Sequence, residues 1–359
     1  MASDRRGVRD FFRAYGAGPV GPTPPQPIQP PDADEDSETA PVIDRNVERP
    51  EAEWEPMTVP EQPARDGEFP VRFVDGSMAT VPALCVRTAD GHPVPMLIGE
   101  AGAVVLRSVG RGFEREFVAL DRVLSFVADR FPWEALEPFA TGLLEAPEFS
   151  VRFLPANTPA GPHNPFDYEV LRSQAYSRIR QEMATFERLA LNADAAPTLV
   201  DGPLYRVTGT PKAGAALVVG VVKEQMRNYL HPQGCVTLLD LRTGQRTPVF
   251  KIEQKAKLHV ATWFLKLAGG PRLAPNWGFV RVEIPWGQYQ EYADNAGFVH
   301  RLSRWLIDAR CRTDSYARMP VSLDPIVRAE DALKPLFTPL PLLATRLYRT
   351  AGLFQRGDL

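Results

Sequence analysis

Cysteine is scarce in this chain of 359 residues: Cys85, Cys235 and Cys311 stand far apart, with no Cys-x-x-Cys spacing. That argues against a disulfide frame or a thiolate zinc site and reads as reduced, buried thiols of a cytoplasmic protein. The five histidines are scattered too, without His-x-x-x-His or His-Glu-x-x-His spacing, so zinc chemistry is not expected. No apolar run approaches the roughly 18 residues needed to span a bilayer, so no membrane partner is expected. Nor does Met1-Ala2-Ser3-Asp4-Arg5-Arg6 lead into an apolar segment, and a secretory signal is not expected. No long internal repeat is visible.

What is present is enough apolar residue, 44% of the chain, for a substantial core in one large domain or two ordinary ones. The net charge of −3 divides unevenly. Residues 1–66 hold 14 Asp and Glu against 7 Arg, a net of −7, which leaves +4 on the remainder. A mildly basic body permits a nucleic-acid partner without requiring one. Residues 17–66 are rich in proline, with an acidic stretch from Asp32 to Glu38, and are expected to form a disordered linker. Ahead of it, Val8, Phe11, Phe12 and Tyr15 recur at helical spacing among Arg5, Arg6, Arg9 and Arg13. This segment reads either as a frayed terminus with chance spacing or as an amphipathic helix on a tether that docks into a partner's groove, and a folded domain is expected over 67–359.

From Phe69 the pattern turns to strands: 70–75, Thr80–Arg87, Pro93–Ile98 and Ala103–Ser108, with residues 114–146 mainly helical. A long helix is expected from about Asp167 to Leu191. Ala215–Lys223 is a continuous apolar run, as in a strand covered on both faces. Hairpins are expected over Cys235–Ile252 and His259–Pro285, then helices near 291–310 and 324–336. Strands alternating with helices, followed by more strands, define an α/β fold with a mixed sheet flanked by helices.

Two segments share a design, an apolar run closing on Asp-Gly: Phe73-Val74-Asp75-Gly76 and Leu199-Val200-Asp201-Gly202. Each reads as a buried strand ending in a carboxylate, with glycine turning the backbone away. Side by side, two such strand ends make an acidic pocket suited to hard divalent cations. On the helix between them, stepping about 100° per residue from Ile179 puts Glu182 at roughly 300°, inside the apolar arc, and Glu187 at roughly 80°, on its edge. A carboxylate in the core-facing stripe must be paired, protonated or metal-bound. A salt bridge to Arg178 or Arg172 is the plain alternative for Glu182. Asp75, Glu182 and Asp201 are thus the candidate metal ligands for two Mn²⁺ or Mg²⁺ ions, since one aspartate cannot neutralise such a pair. Lys223, closing its apolar run, is either a solvated lysine or a point charge beside a phosphate. Lys251, Lys255, Lys257, Lys266, Arg272 and Arg281 alternate with Trp263, Phe264, Trp277 and Trp286, a mixture that core packing or single-stranded DNA binding explains equally well.

In order and spacing these segments resemble the NurA nucleases from about Phe69 to Leu353. The resemblance rests on Phe73–Ser77, the helix with Glu182, Val200–Leu204, Val219–Lys223, Trp263–Leu267, Val280–Pro285 and the segment from Met319. It implies an RNase H-like fold, Mn²⁺-dependent 5′→3′ exonuclease and single-strand endonuclease action on DNA, a homodimer and a HerA-type hexameric ATPase partner. Carried over, Asp75, Glu182 and Asp201 are the metal-binding acids, with Glu187 a rival for the helix position. Where the family has a catalytic histidine after a Tyr-Pro, this chain has Ala329-Glu330, which makes Glu330 the substitute candidate or leaves the site weakened. The long acidic N-terminal extension is likewise outside the shared pattern. A non-catalytic subunit that recruits or regulates an ATPase is the competing expectation.

Overall fold

The computed structural model describes residues 6–19, 41–61, 68–146, 148–160, 167–212, 214–223, 229–253, 258–269, 277–292, 297–312 and 321–353. The chain opens with helix α1 (Arg6–Ala14) and three short strands, β1 (Gly18–Pro19), β2 (Val42–Asp44) and β3 (Met57–Thr58). Three long strands follow, β4 (Arg72–Arg87), β5 (Pro93–Val109) and β6 (Gly112–Val127), joined by tight turns into an antiparallel meander. Helix α2 (Trp133–Leu144) and strand β7 (Arg152–Ala156) come next, then the long helix α3 (Tyr168–Asn192). Asp167 caps α3 by accepting from the Val170 amide at 3.2 Å, satisfying one of the donors a helix start leaves open. Strands β8 (Thr198–Asp201) and β9 (Val218–Val222) lead to α4 (Pro232–Asp240), β10 (Gln245–Arg246), β11 (Phe250–Glu253), β12 (His259–Lys266) and β13 (Phe279–Pro285). Helices α5 (Trp286–Tyr292), α6 (Gly297–Asp308), α7 (Asp324–Leu333) and α8 (Leu340–Ala351) close the described chain.

One mixed sheet runs β2-β11-β12-β13-β9-β8-β4-β5-β6-β7. Strand β8 is parallel to both β4 and β9, and these three carry the middle of the sheet. Alternate residues divide its two faces. Val74, Val200, Ala103 and Val105 pack on Ala190 and Leu191 of α3, whereas Phe73, Leu199, Val219 and Val221 pack beneath α6 and Ile326 of α7. The fold is therefore a mixed α/β sheet flanked by helices, as the sequence pattern implied. No helix among the described residues is long and apolar enough to cross a membrane.

Several expectations need correction. The strand expected to end at Asp75 does not end there: β4 continues to Arg87, with Asp75 opposite Val104 and Gly76 opposite Ala103. The helical stretch expected at 114–146 is a strand as far as Val127, and much of the hairpin expected at Cys235–Ile252 is helix α4. Residues 41–61, expected as linker, add β2 to β11 and β3 to β10 and bury Trp54. Glu48 accepts from Arg246 at 2.7 and 2.8 Å there. The acidic stretch 32–38 lies outside the described residues. The cysteines form no disulfide among the described residues but are half-buried, not buried.

The N-terminal helix finds its groove on its own chain. Val8, Phe11 and Phe12 are buried against Phe139 of α2, Phe126 of β6 and Leu343, Leu347 and Ala351 of α8. Gly7 makes that fit possible, because any Cβ would lie 2.8 Å from the carbonyl carbon of Pro138. Three such side chains contribute roughly 1.5–3 kcal/mol each in burial.

Candidate active site

Register carries Asp75 and Asp201 to the same place. Phe73 pairs with Leu199 and Val74 with Val200 across parallel strands, so the next residues, Asp75 and Asp201, stand beside each other on the α7 side of the sheet. Adjacent strands lie about 4.8 Å apart. Val221 of β9 pairs with Asp201, and two residues on Lys223 donates from Nζ to Asp201 Oδ2 at 2.7 Å. Gly202, at φ +116°, makes the turn that ends β8, a backbone geometry that L side chains rarely adopt. Its N–H is held by the Val221 carbonyl at 2.9 Å. The amide of Leu204 then donates to buried Glu283 at 2.9 Å, fixing the loop that follows.

Two glutamates approach this pair from opposite layers. Glu330 comes from α7, whose Ala329 packs on Val104, the residue opposite Asp75; its Oε1 lies 2.7 Å from Lys334 Nζ. Glu187 comes from α3 on the other face and lies directly on Gly76. A Cβ at position 76 would sit 2.6 Å from the Glu187 carboxyl carbon. Gly76 is thus glycine to admit a carboxylate, not to turn the chain.

The electrostatics follow from burial and crowding of like charge. Asp75, 5% exposed, has its carboxyl held well above the ordinary range, first by burial and then by Asp201; Glu187 and Glu330 add to the rise and Lys223 opposes it. Glu187 is pushed up to about 7, chiefly by burial, with Arg206 and Arg180 pulling against Asp201. Asp75, Glu187, Asp201, Glu330 and Lys223 therefore form one interacting group, although they come from five separate stretches of the chain.

Glu182 does not join them. Its carboxylate is held by Arg152 of β7 at 2.7 Å and by Arg178 one helical turn back at 3.3 Å, so its burial is met by ion pairs. Of Glu182 and Glu187 on α3, Glu187 is the one brought to Asp75. The alternating basic and aromatic residues also dissolve into structure. Trp263 and Phe264 are core, Arg281 pairs with Glu283 at 2.8 Å, and Lys251 pairs with Glu253 at 2.5 Å. Lys255, Lys257 and Arg272 lie outside the described residues. Arg180 and Arg206, which sequence reasoning passed over, flank Glu187; the seven-residue spacing of Arg180 and Glu187 on one helix face was their signal.

The donor set is hard oxygen throughout, the chemistry that suits Mg²⁺ or Mn²⁺. Crowded carboxylates with raised pKa values are what a divalent cation relieves. Among the described residues, however, no group of three or more His, Cys, Asp or Glu is disposed to hold a metal ion as it stands. Asp75 and Asp201 stand on neighbouring strands, with Glu187 reaching them from α3 and Glu330 from α7.

No family model matches this sequence, and no curated protein matches it. Four chains of solved structures do match. One is the NurA nuclease from Sulfolobus solfataricus, 12% identical over 85% of this chain and 88% of that one, with a TM-score of 0.43. Likeness at that level does not say which residues act.

Proposed function

We propose that the chain is a divalent-metal-dependent deoxyribonuclease that hydrolyses phosphodiesters at DNA ends. One observation carries this reading: Asp75, Asp201, Glu187 and Glu330 interact around Lys223. A purely structural role gives no reason for so much buried like charge in one place. Asp75 and Asp201 would hold Mn²⁺ or Mg²⁺, with Glu187 and Glu330 completing a two-ion set. When bound, such ions polarise the phosphate and lower the pKa of coordinated water. The chain's own contribution is positional. Lys223, held by Asp201, offers a fixed positive charge to the phosphate oxygen on which charge develops. The resemblance described above also supports 5′→3′ exonuclease and single-strand endonuclease action, a HerA-type ATPase partner and a homodimer.

The test is cleavage of labelled single-stranded DNA with Mn²⁺, comparing the wild type with Asp75→Asn. A loss of about 10²-fold or more is expected, the scale on which electrostatic groups at reacting centres act. Equal, background-level cleavage by both proteins overturns the nuclease reading and favours the ATPase-recruiting subunit.

A further inference from the structure

The buried arginines of this protein are mostly engaged. Arg72 donates to the Ala190, Leu191 and Asp194 carbonyls and to Thr198, Arg246 holds Glu48, and Arg301 holds Glu68. Two half-buried arginines differ, and both lie beside the acidic group. Neither the Arg180 nor the Arg206 side chain makes a hydrogen bond or ion pair with a described residue, although each influences the other and both influence Glu187. Arg180 stands two turns N-terminal to Glu187 on α3, roughly 10 Å along the axis. Arg206 closes the short turn that follows Asp201-Gly202, and its carbonyl accepts from Arg188 of α3 at 3.5 Å, so this turn rests on the helix beside Glu187. Glu187 attracts both guanidinium groups without pairing directly with either, so the repulsion between the two is only partly offset. A single anion between them reverses that repulsion, and guanidinium forks match phosphate oxygens in pairs.

Aromatic rings accompany both. The Arg206 guanidinium lies 5.6 Å from the ring centre of Tyr205, and Tyr176 is one helical turn from Arg180 on the same face. A cationic pair with half-exposed rings beside it takes a sugar-phosphate backbone whose bases are free to stack. We propose that Arg180 and Arg206 clamp a backbone phosphate of single-stranded DNA next to the acidic group, with Tyr176 and Tyr205 receiving the adjoining bases. This rests on the nuclease reading for its substrate, but it makes a separate claim about binding.

The experiment measures binding of the full chain to fluorescein-labelled oligothymidylate by anisotropy in EDTA, where no turnover occurs, across a KCl series. Arg180→Gln and Arg206→Gln are each expected to weaken binding roughly tenfold, as for loss of a charge-assisted contact. The slope of log affinity against log salt should fall by about 0.7 per lost phosphate contact. Arg180→Lys should keep the wild-type slope with reduced affinity, and Arg111→Gln, at a hairpin tip, should change neither. Unchanged affinity and slope in both glutamine variants overturns the clamp. So does weaker binding at an unaltered slope, which is the mark of a structural effect. Equal losses on duplex of the same length overturn the single-strand assignment. If wild type binds as described yet never cleaves with Mn²⁺, the clamp stands and the hydrolytic reading falls; cleavage without the binding losses gives the reverse.

Discussion

Glu187 makes the stability of this protein depend on pH in a direction opposite to that of most paired carboxylates. Its folded-state pKa of about 7 stands above the ordinary 4.5. Between these values the folded state holds a proton that the unfolded state has released, so stability falls as pH rises through that window. The contribution is complete below about pH 4.5 and gone above about pH 7. A separation of 2.5 units, at about 1.36 kcal/mol each, is worth about 3 kcal/mol. Asp75 is raised too, so it works in the same direction, and Glu187 is one of the charges that raise it. Urea unfolding in EDTA at steps from pH 4.5 to 8 measures the effect as a difference between wild type and Glu187→Gln. The variant should gain on the wild type by about 3 kcal/mol across that interval and be the more stable protein at pH 8. Mn²⁺ should then stabilise the wild type more above pH 7, where the Glu187 carboxylate is charged, and stabilise the variant less. Parallel pH profiles for the two proteins would refute the burial argument for this side chain.

Gly76→Ala should leave the protein folded, because the backbone there is ordinary strand, but must displace the Glu187 side chain; a drop of about 1–3 kcal/mol in unfolding free energy with a larger loss of cleavage is expected. Glu182→Gln should retain cleavage within a few-fold of wild type in the same DNA assay, since its partners are Arg152 and Arg178; loss of activity matching that of Asp75→Asn would return it to the centre. Phe11→Ala should cost about 3–5 kcal/mol in chemical unfolding, and a change under about 1 kcal/mol would show that α1 does not belong to this core.

Local signals were readable wherever one element decided them. Asp167 and the apolar repeat gave α3 within a residue or two at either end, and the apolar run before Lys223 gave β9. The His259–Pro285 hairpin appears as β12 paired with β13. What failed depended on partners distant in sequence. Gly76 carries a turn signal in isolation, yet β5 pairs with β4 on both sides of it and holds the strand straight. Proline-rich residues 41–61 have too few apolar side chains to fold alone, but the exposed edges of β10 and β11 give them strands to join, and the groove around Phe250 takes Trp54. The amphipathic pattern of α1 correctly indicated that its apolar face needs a groove. Periodicity carries no information on whose groove it is, and α2 and α8 supply one within the same chain.

The choice between Glu182 and Glu187 exposes the limit of the helical wheel. Angle around an axis states whether a residue faces the sheet, and both glutamates are indeed buried. It does not state which strand lies beneath. Helix α3 crosses the sheet, so Glu182 lies near β7, where Arg152 waits, while five residues later Glu187 lies over β4 at Gly76. The discriminating signal was therefore in the strand and not in the helix. A carboxylate can reach the far side of a sheet only where a strand residue lacks a side chain, and Gly76 follows Asp75 directly. An Asp-Gly pair in mid-strand, with a helix packed across it, thus predicts a second carboxylate above the glycine. Substituting Glu187 instead of Glu182 is the change that should disable the group around Asp75.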